Sequence, residues 1–280
     1  MTPATRRWER LGAGLLALGL AVPVSGQARS EVTARDGTKL HYTDMGRGEA
    51  LVLLAGGPGF SSRYLVAVAR RLATQYRPIL FDERGTGRSS VASYTADSIN
   101  LANYLDDLES LRMALGLKQL TLVGHSWGGM LAMAYGAAHP DRVRALVLIG
   151  SGGPDLSFFG PFERNLQANW KFTEEEQRRL AYWEDPQRQA AEPRRAAMEA
   201  FKVRVHGYFF DRSKVHLFTD SAENDDFEPR VNGLMWGDLA RIGYDLRPQL
   251  KSLRAPSLVV QGRQDPVAVA EQVADALPGS

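Results

Sequence analysis

The chain has 280 residues, 44% of them apolar and 24% charged, with a formal net charge of +2 and no cysteine. That length buries one sizeable core, or one domain with an insertion. The near-neutral charge, with arginines scattered rather than striped among aromatics, argues against nucleic acid as a partner. The absence of cysteine excludes disulfides, thiol catalysis, thiolate metal sites and a lipoprotein anchor.

Residues 1–28 read as a targeting segment. Arg6, Arg7 and Arg10 precede a mostly apolar run from Leu11 to Val24, and small residues follow at Ser25, Gly26 and Ala28. This is the order of a secretory signal peptide. The run is shorter than the ~20 residues that span a bilayer. Cleavage near Gly26 or Ala28 is expected, giving a periplasmic or secreted protein with no stable membrane insertion. A retained anchor is the alternative.

Strand and helix signals then alternate. Glu31–Arg35 and Thr38–Thr43 flank Asp36-Gly37, a hairpin signature. Ala50–Ala55 and Pro78–Phe81 are short apolar runs of the kind found in buried parallel strands. Ser61–Gln75 has a helical pattern. So does Ser98–Leu115, with Asp97 as the expected N-cap. Leu120–Val123 is a third buried strand, followed by Gly124-His125-Ser126-Trp127-Gly128 and a helical run from Met130 to Ala138. A G-x-S-x-G at a strand-to-helix turn presents the serine alone above the sheet, which makes Ser126 the candidate nucleophile. Val143–Ile149 is the next strand. The β-α-β-α rhythm predicts a mostly parallel sheet with helices on both faces.

The rhythm breaks at Gly152. Residues 152–245 are richer in charge and aromatics, with helices expected over Thr173–Tyr182, Pro193–Val205 and near Asn232–Ile242. They read as a helical cap inserted into a core of residues 29–151 and 246–280. Ser257–Gln261 resumes the sheet, and Val267–Leu277 is expected as the last helix. No metal-ligating cluster, phosphate-binding loop or dinucleotide fingerprint appears, so no cofactor or metal is expected.

Gly56-Gly57-Pro58-Gly59, Asp82-Glu83-Arg84-Gly85-Thr86-Gly87-Arg88-Ser89 and Gly124-His125-Ser126-Trp127-Gly128-Gly129 together resemble the α/β-hydrolase fold. Within it they are similar to the proline iminopeptidase group of serine aminopeptidases, over roughly residues 31–277. Ala55 departs from that group, which usually has histidine there. The resemblance implies oxyanion donors at the amides of Trp127 and Gly57. The superfamily order of serine, acid, histidine makes Asp265 the acid, directly after the Ser257–Gln261 strand. Its alternative reading is a helix N-cap followed by proline. Asp155 is the second candidate acid. The resemblance also implies cap carboxylates that hold a substrate amine, with Glu184, Glu223 and Glu228 as candidates.

The base is missing from this pattern. His41, His125, His139, His206 and His216 all precede Asp265, and the group expects the histidine two to three dozen residues after it. The expectation is a chain lacking its last strand, histidine loop and helix, with the base beyond Ser280 and an open sheet edge. The function expected is a secreted serine hydrolase cleaving N-terminal proline or small apolar residues from small peptides. A carboxylesterase acting on small esters, or a non-catalytic protein of the same fold, is the alternative. Oligomeric state is not readable.

Overall fold

The computed structural model describes residues 28–278. The targeting-segment reading lies outside the described residues, apart from Ala28, which opens the first strand. The strands are β1 (Ala28–Thr33), β2 (Lys39–Asp44), β3 (Ala50–Leu54), β4 (Arg77–Phe81), β5 (Leu120–His125), β6 (Val143–Ile149) and β7 (Ser257–Val260). Among the described residues they form one sheet in the order β1-β2-β4-β3-β5-β6-β7. The β1–β2 and β2–β4 pairs are antiparallel and the other four are parallel. At Asp36-Gly37 the Asp36 carboxylate accepts the Thr38 amide at 3.0 Å, closing the first hairpin.

Central strands are apolar on both faces because both faces are covered. In β3, Val52 and Leu54 enter one buried cluster with α2 (Leu101–Ala114), α3 (Trp127–Ala138) and residues near the C-terminus. Leu51 and Leu53 enter the opposite cluster with Ala69 of α1 (Val66–Leu72). This is the two-residue period of a strand, seen from inside a three-layer core. At the described sheet's edge, β7 leaves Leu258 and Val260 47% and 45% exposed.

Between β6 and β7 the chain is helical. It contains α4 (Phe159–Asn169), α5 (Glu174–Trp183), α6 (Pro186–Ala191), α7 (Pro193–Arg204), α8 (His216–Thr219), α9 (Pro229–Ile242) and α10 (Arg247–Leu250), with short 3₁₀ turns. After β7 comes α11 (Ala270–Ala276). The α5 boundary follows its capping box, with Thr173 Oγ1 accepting the Glu176 amide at 3.2 Å and the Glu176 carboxylate accepting that of Thr173 at 2.8 Å.

Several boundaries differ from expectation. The Ser61–Gln75 run is a 3₁₀ turn and a seven-residue helix. Asn100, not Asp97, caps α2, accepting the Asn103 amide at 2.9 Å. The Asp97 carbonyl instead accepts from the Asn100 and Asn103 side chains. Helix α9 begins earlier than Asn232, because Glu228 caps it and Pro229 takes the first helical position. Helix α4 was not anticipated from sequence. Gly160 and Pro161 resemble a loop, yet proline is tolerated in a first turn, and Phe159, Phe162 and Leu166 share one face.

Candidate active site

Ser126 lies between the end of β5 at His125 and the start of α3 at Trp127. Its backbone sits at φ 53°, ψ −117°, and it is the single non-glycine residue with positive φ among those described. Such a conformation costs an ordinary residue about 1–3 kcal/mol and persists only where the surroundings impose it. Here they do. A Cβ on Gly124 would lie 2.3 Å from the Gly128 carbonyl oxygen, and one on Gly128 would lie 2.4 Å from that of Leu54. The Ser126 amide donates to Ile149 O at 3.0 Å, tying the turn to β6. The elbow is thus pressed into the sheet, and its hydroxyl faces a cavity.

Two backbone donors border the same cavity. Trp127 is the first residue of α3, so its amide has no partner within the helix and lies at the positive end of the helix dipole. Gly57, in the turn after β3, shares the cavity lining. The turn is held by a short relay. The Gly56 amide donates to Tyr64 Oη at 2.6 Å, and that hydroxyl lies 2.7 Å from His125 Nδ1. Tyr64 thus bridges the glycine turn and the His125 ring. Burial lowers the His125 pKa and keeps the ring neutral. The Trp127 indole donates to Glu83 Oε2 at 2.8 Å. Burial raises the Glu83 carboxyl to about 8. Nothing in the sequence signals this contact, because Glu83 and Trp127 lie 44 residues apart.

Asp265 follows β7, two strands from Ser126, and also lines the cavity. Its Oδ1 accepts the Val267 amide at 2.9 Å. That is a local turn and not a helix cap, since α11 starts only at Ala270 after an uncapped Val269. Burial raises the Asp265 pKa. Asp155 is structural: it accepts the Ser157 amide at 2.8 Å and pairs with Arg247 at 3.0 Å.

Of the described histidines, His125 alone lines this cavity, and its Nδ1 is engaged by Tyr64. It borders the site and, among the described residues, makes no hydrogen bond to Ser126. His206 pairs with Glu176 at 2.6 Å, and His216 Nδ1 lies 2.6 Å from Ser213 O. His41 is in β2 and His139 ends α3.

The cavity has a volume of about 960 Å³ and lies between the sheet and the helical segment. Its walls are aromatic, including Phe60, Phe158, Phe162, Phe201 and Trp236. The segment is fastened to the glycine turn. Ser61 donates its amide to Asp226 O at 2.8 Å, Glu228 to Gly59 O at 2.9 Å, and Asn232 Nδ2 to Pro58 O at 2.8 Å.

The structure separates the three cap carboxylates chosen from sequence. Glu184 lines the cavity, ion-paired with Arg204. Glu223 does not: it is exposed and pairs with Arg63 at 2.6 Å. Glu228 is buried as the α9 cap and pairs with Arg194 and Arg230, both at 2.8 Å, outside this cavity. Glu163 of α4 was passed over in the sequence and does line the cavity, with no ion pair among the described residues. Its spacing on the same helix as Phe159, Phe162 and Leu166 was the available signal.

A family model described as alpha/beta hydrolase fold matches residues 49–279. The chain is 38% identical over 120 residues to a cis-3-alkyl-4-alkyloxetan-2-one decarboxylase of Shewanella oneidensis. That match covers 42% of this chain and 37% of the decarboxylase. It is 28% identical over 256 residues to a proline iminopeptidase of Lactobacillus delbrueckii subsp. bulgaricus, covering 82% and 79% of the two chains. Among solved structures, an N-acyl homoserine lactone degrading enzyme superposes with a TM-score of 0.64 at 25% identity, over 89% of each chain. The proline iminopeptidase of Mycobacterium smegmatis superposes with a TM-score of 0.59 at 19% identity, over 90% of this chain and 87% of that one, a likeness of fold alone.

Proposed function

The chain belongs to the α/β-hydrolase fold family, and from that premise we propose that it is a secreted serine hydrolase, an aminopeptidase that removes N-terminal proline or small apolar residues. Ser126 Oγ attacks the scissile carbonyl, and the oxygen that becomes negative is received by the Gly57 and Trp127 amides. The tetrahedral adduct then breaks its C–N bond, expelling the protonated amine and leaving an acyl-enzyme, which water hydrolyses. Asp265 would orient an imidazole base that takes the Ser126 proton and returns it to the leaving amine; among the described residues no histidine hydrogen-bonds to Ser126 or Asp265. His125 borders the chamber with its Nδ1 against Tyr64.

The observation that carries the reading is the cavity itself: Ser126, both proposed donors and Asp265 line one aromatic chamber. Apolar walls suit a proline or small apolar side chain. Glu163 lines the chamber without an ion-pair partner among the described residues and is suited to a substrate ammonium. Glu184 is already neutralised by Arg204, so the amine subsite rests on Glu163. An esterase is the second reading, favoured by the predominance of aromatic over charged lining. Residues 1–28 are proposed to be a leader removed on export, and N-terminal sequencing of exported protein tests this, with a start between Gln27 and Glu31 expected.

The test of the function is a panel of proline and alanine arylamides and short acyl esters, run beside a fluorophosphonate probe. Labelling at Ser126 that disappears in Ser126→Ala is expected, with turnover falling about 10³-fold or more. Glu163→Gln should raise KM for free-amine substrates about tenfold and leave esters unaffected. Probe labelling that persists in Ser126→Ala would refute the nucleophile. Unchanged amine preference in Glu163→Gln would favour the esterase.

A further inference from the structure

The proposed reaction makes no use of Glu83, a carboxyl only 1% exposed behind the elbow. Oε2 accepts the Trp127 indole at 2.8 Å, and Oε1 is buried without a hydrogen-bond partner. The indole is held edge-on by Tyr104 and Trp236, at ring separations of 6.4 and 6.0 Å. The Ala55 amide also lies close enough to the carboxyl to favour its charged form, while Oε1 itself has no hydrogen-bond partner among the described residues. Ala55 leads into the Gly56-Gly57 turn. One carboxyl therefore stands between the two chain segments whose amides border the cavity.

We propose that Glu83 is a positioning residue for the oxyanion hole, anchoring Trp127 so that the first amide of α3 keeps its place opposite the glycine turn. The inference rests on the serine chemistry proposed above for its kinetic consequences only; the anchoring is a property of the fold.

The charge state matters to this role. Burial is the main reason the carboxyl titrates only at about 8, so it is neutral near pH 7. The groups facing it are the Asp82 and Asp107 carboxylates and the Tyr64 and Tyr104 phenols. Asp107 is engaged by Arg84 at 2.6 and 2.8 Å, and Asp82 by Ser62 and the Arg88 amide. Ionisation at alkaline pH would place a buried negative charge beneath amides that must receive a negative oxygen. That opposes catalysis at the step these donors assist.

The experiment compares the full chain with Glu83→Gln, which keeps an acceptor for the indole but cannot ionise, and Glu83→Leu, which offers no acceptor. Tryptophan emission followed from pH 6 to 9.5 should show a step near 8 in the wild type that is absent in Glu83→Gln and in Trp127→Phe. A wild type without that step, or with the step retained in Trp127→Phe, would overturn the anchoring whatever the enzyme does.

The melting temperature supplies a second non-catalytic readout. The folded pKa, about 8, lies above the ordinary 4.5, so the stabilisation is complete below about 4.5 and is lost as pH rises through 8. Glu83→Gln should therefore gain on the wild type between pH 5 and 8.5, and parallel melting profiles would count against the inference. In hydrolysis, Glu83→Leu should lose kcat about tenfold with KM within about twofold, while Glu83→Gln restores kcat and lacks the alkaline decline. Full kcat in Glu83→Leu would sink the positioning role. An absence of any hydrolysis in the wild type would instead fault the proposed function, leaving the emission and melting results to decide the anchoring.

Discussion

Single residues at the elbow are constrained by volume measured in tenths of an ångström. Adding one methyl at Gly124 would place it 2.3 Å from the Gly128 carbonyl oxygen, where backbone, not a flexible side chain, must move. Gly124→Ala is therefore expected to cost about 1–3 kcal/mol in urea unfolding and to abolish fluorophosphonate labelling. Gly233→Ala is the matched control. A Cβ there meets nothing within 4 Å inside α9, and alanine should stabilise the helix by about 0.5–1 kcal/mol. Equal effects from the two changes would show that the elbow is not sterically locked.

At the scale of elements, helix ends are decided by which side chain reaches the first free amide. Asp97 and Asn100 are both chemically good caps, but Asn100 accepts the Asn103 amide at 2.9 Å. The Asp238 carboxylate takes the next orphan, accepting the Leu101 amide at 2.9 Å and so linking α2 to α9. Asn100→Ala should lower stability by about 1 kcal/mol, whereas Asp97→Ala should stay within about 0.5 kcal/mol. Urea midpoints of the two variants check this, and the reverse ranking would mean α2 starts where the sequence pattern alone puts it. The antiparallel bridge between Phe60 and Phe227 is another element-level link. It joins the glycine turn to the segment just before α9, so the helices between β6 and β7 bear directly on the proposed oxyanion hole.

Across the whole molecule, stability toward acid depends on carboxylates held ionised by arginine. Glu109 is held at about 2 by Arg112 first, with Tyr135 and Arg142 assisting, against an ordinary 4.5. It lies on α2 and reaches Tyr135 of α3 and Arg142 before β6, so it ties together three parts of the core. A lowered folded pKa means its contribution is present above about 4.5 and is lost as pH falls through 2. Glu109→Gln should be less stable than the wild type at pH 7, with the difference shrinking between about pH 4.5 and 2. Thermal unfolding at stepped pH measures this, and a constant gap would assign Glu109 a packing role only.

The sequence by itself determined the sheet rhythm, the serine elbow and the capping box of α5. Each is a local pattern whose physics acts within a few residues: alternation of apolar side chains, glycines around a forced turn, a threonine three residues before a glutamate. The choice of Asp265 rests on the resemblance, through the superfamily order of serine, acid and histidine, and the structure puts it on the lining of the serine's cavity. Only the tertiary structure decided which carboxylates matter. Glu223 and Glu228 look equivalent to Glu184 in the sequence, yet Glu223 pairs with Arg63 at the surface and Glu228 with Arg194 and Arg230 away from the cavity that Glu184 lines. Glu163 is marked in the sequence only by its helical spacing from Phe159, Phe162 and Leu166, and Glu83 by nothing local; the residues they meet, the aromatic walls in one case and Trp127 in the other, are brought to them on folding. Pairing and burial are long-range properties, set by which surfaces meet when the helices between β6 and β7 fold over the sheet.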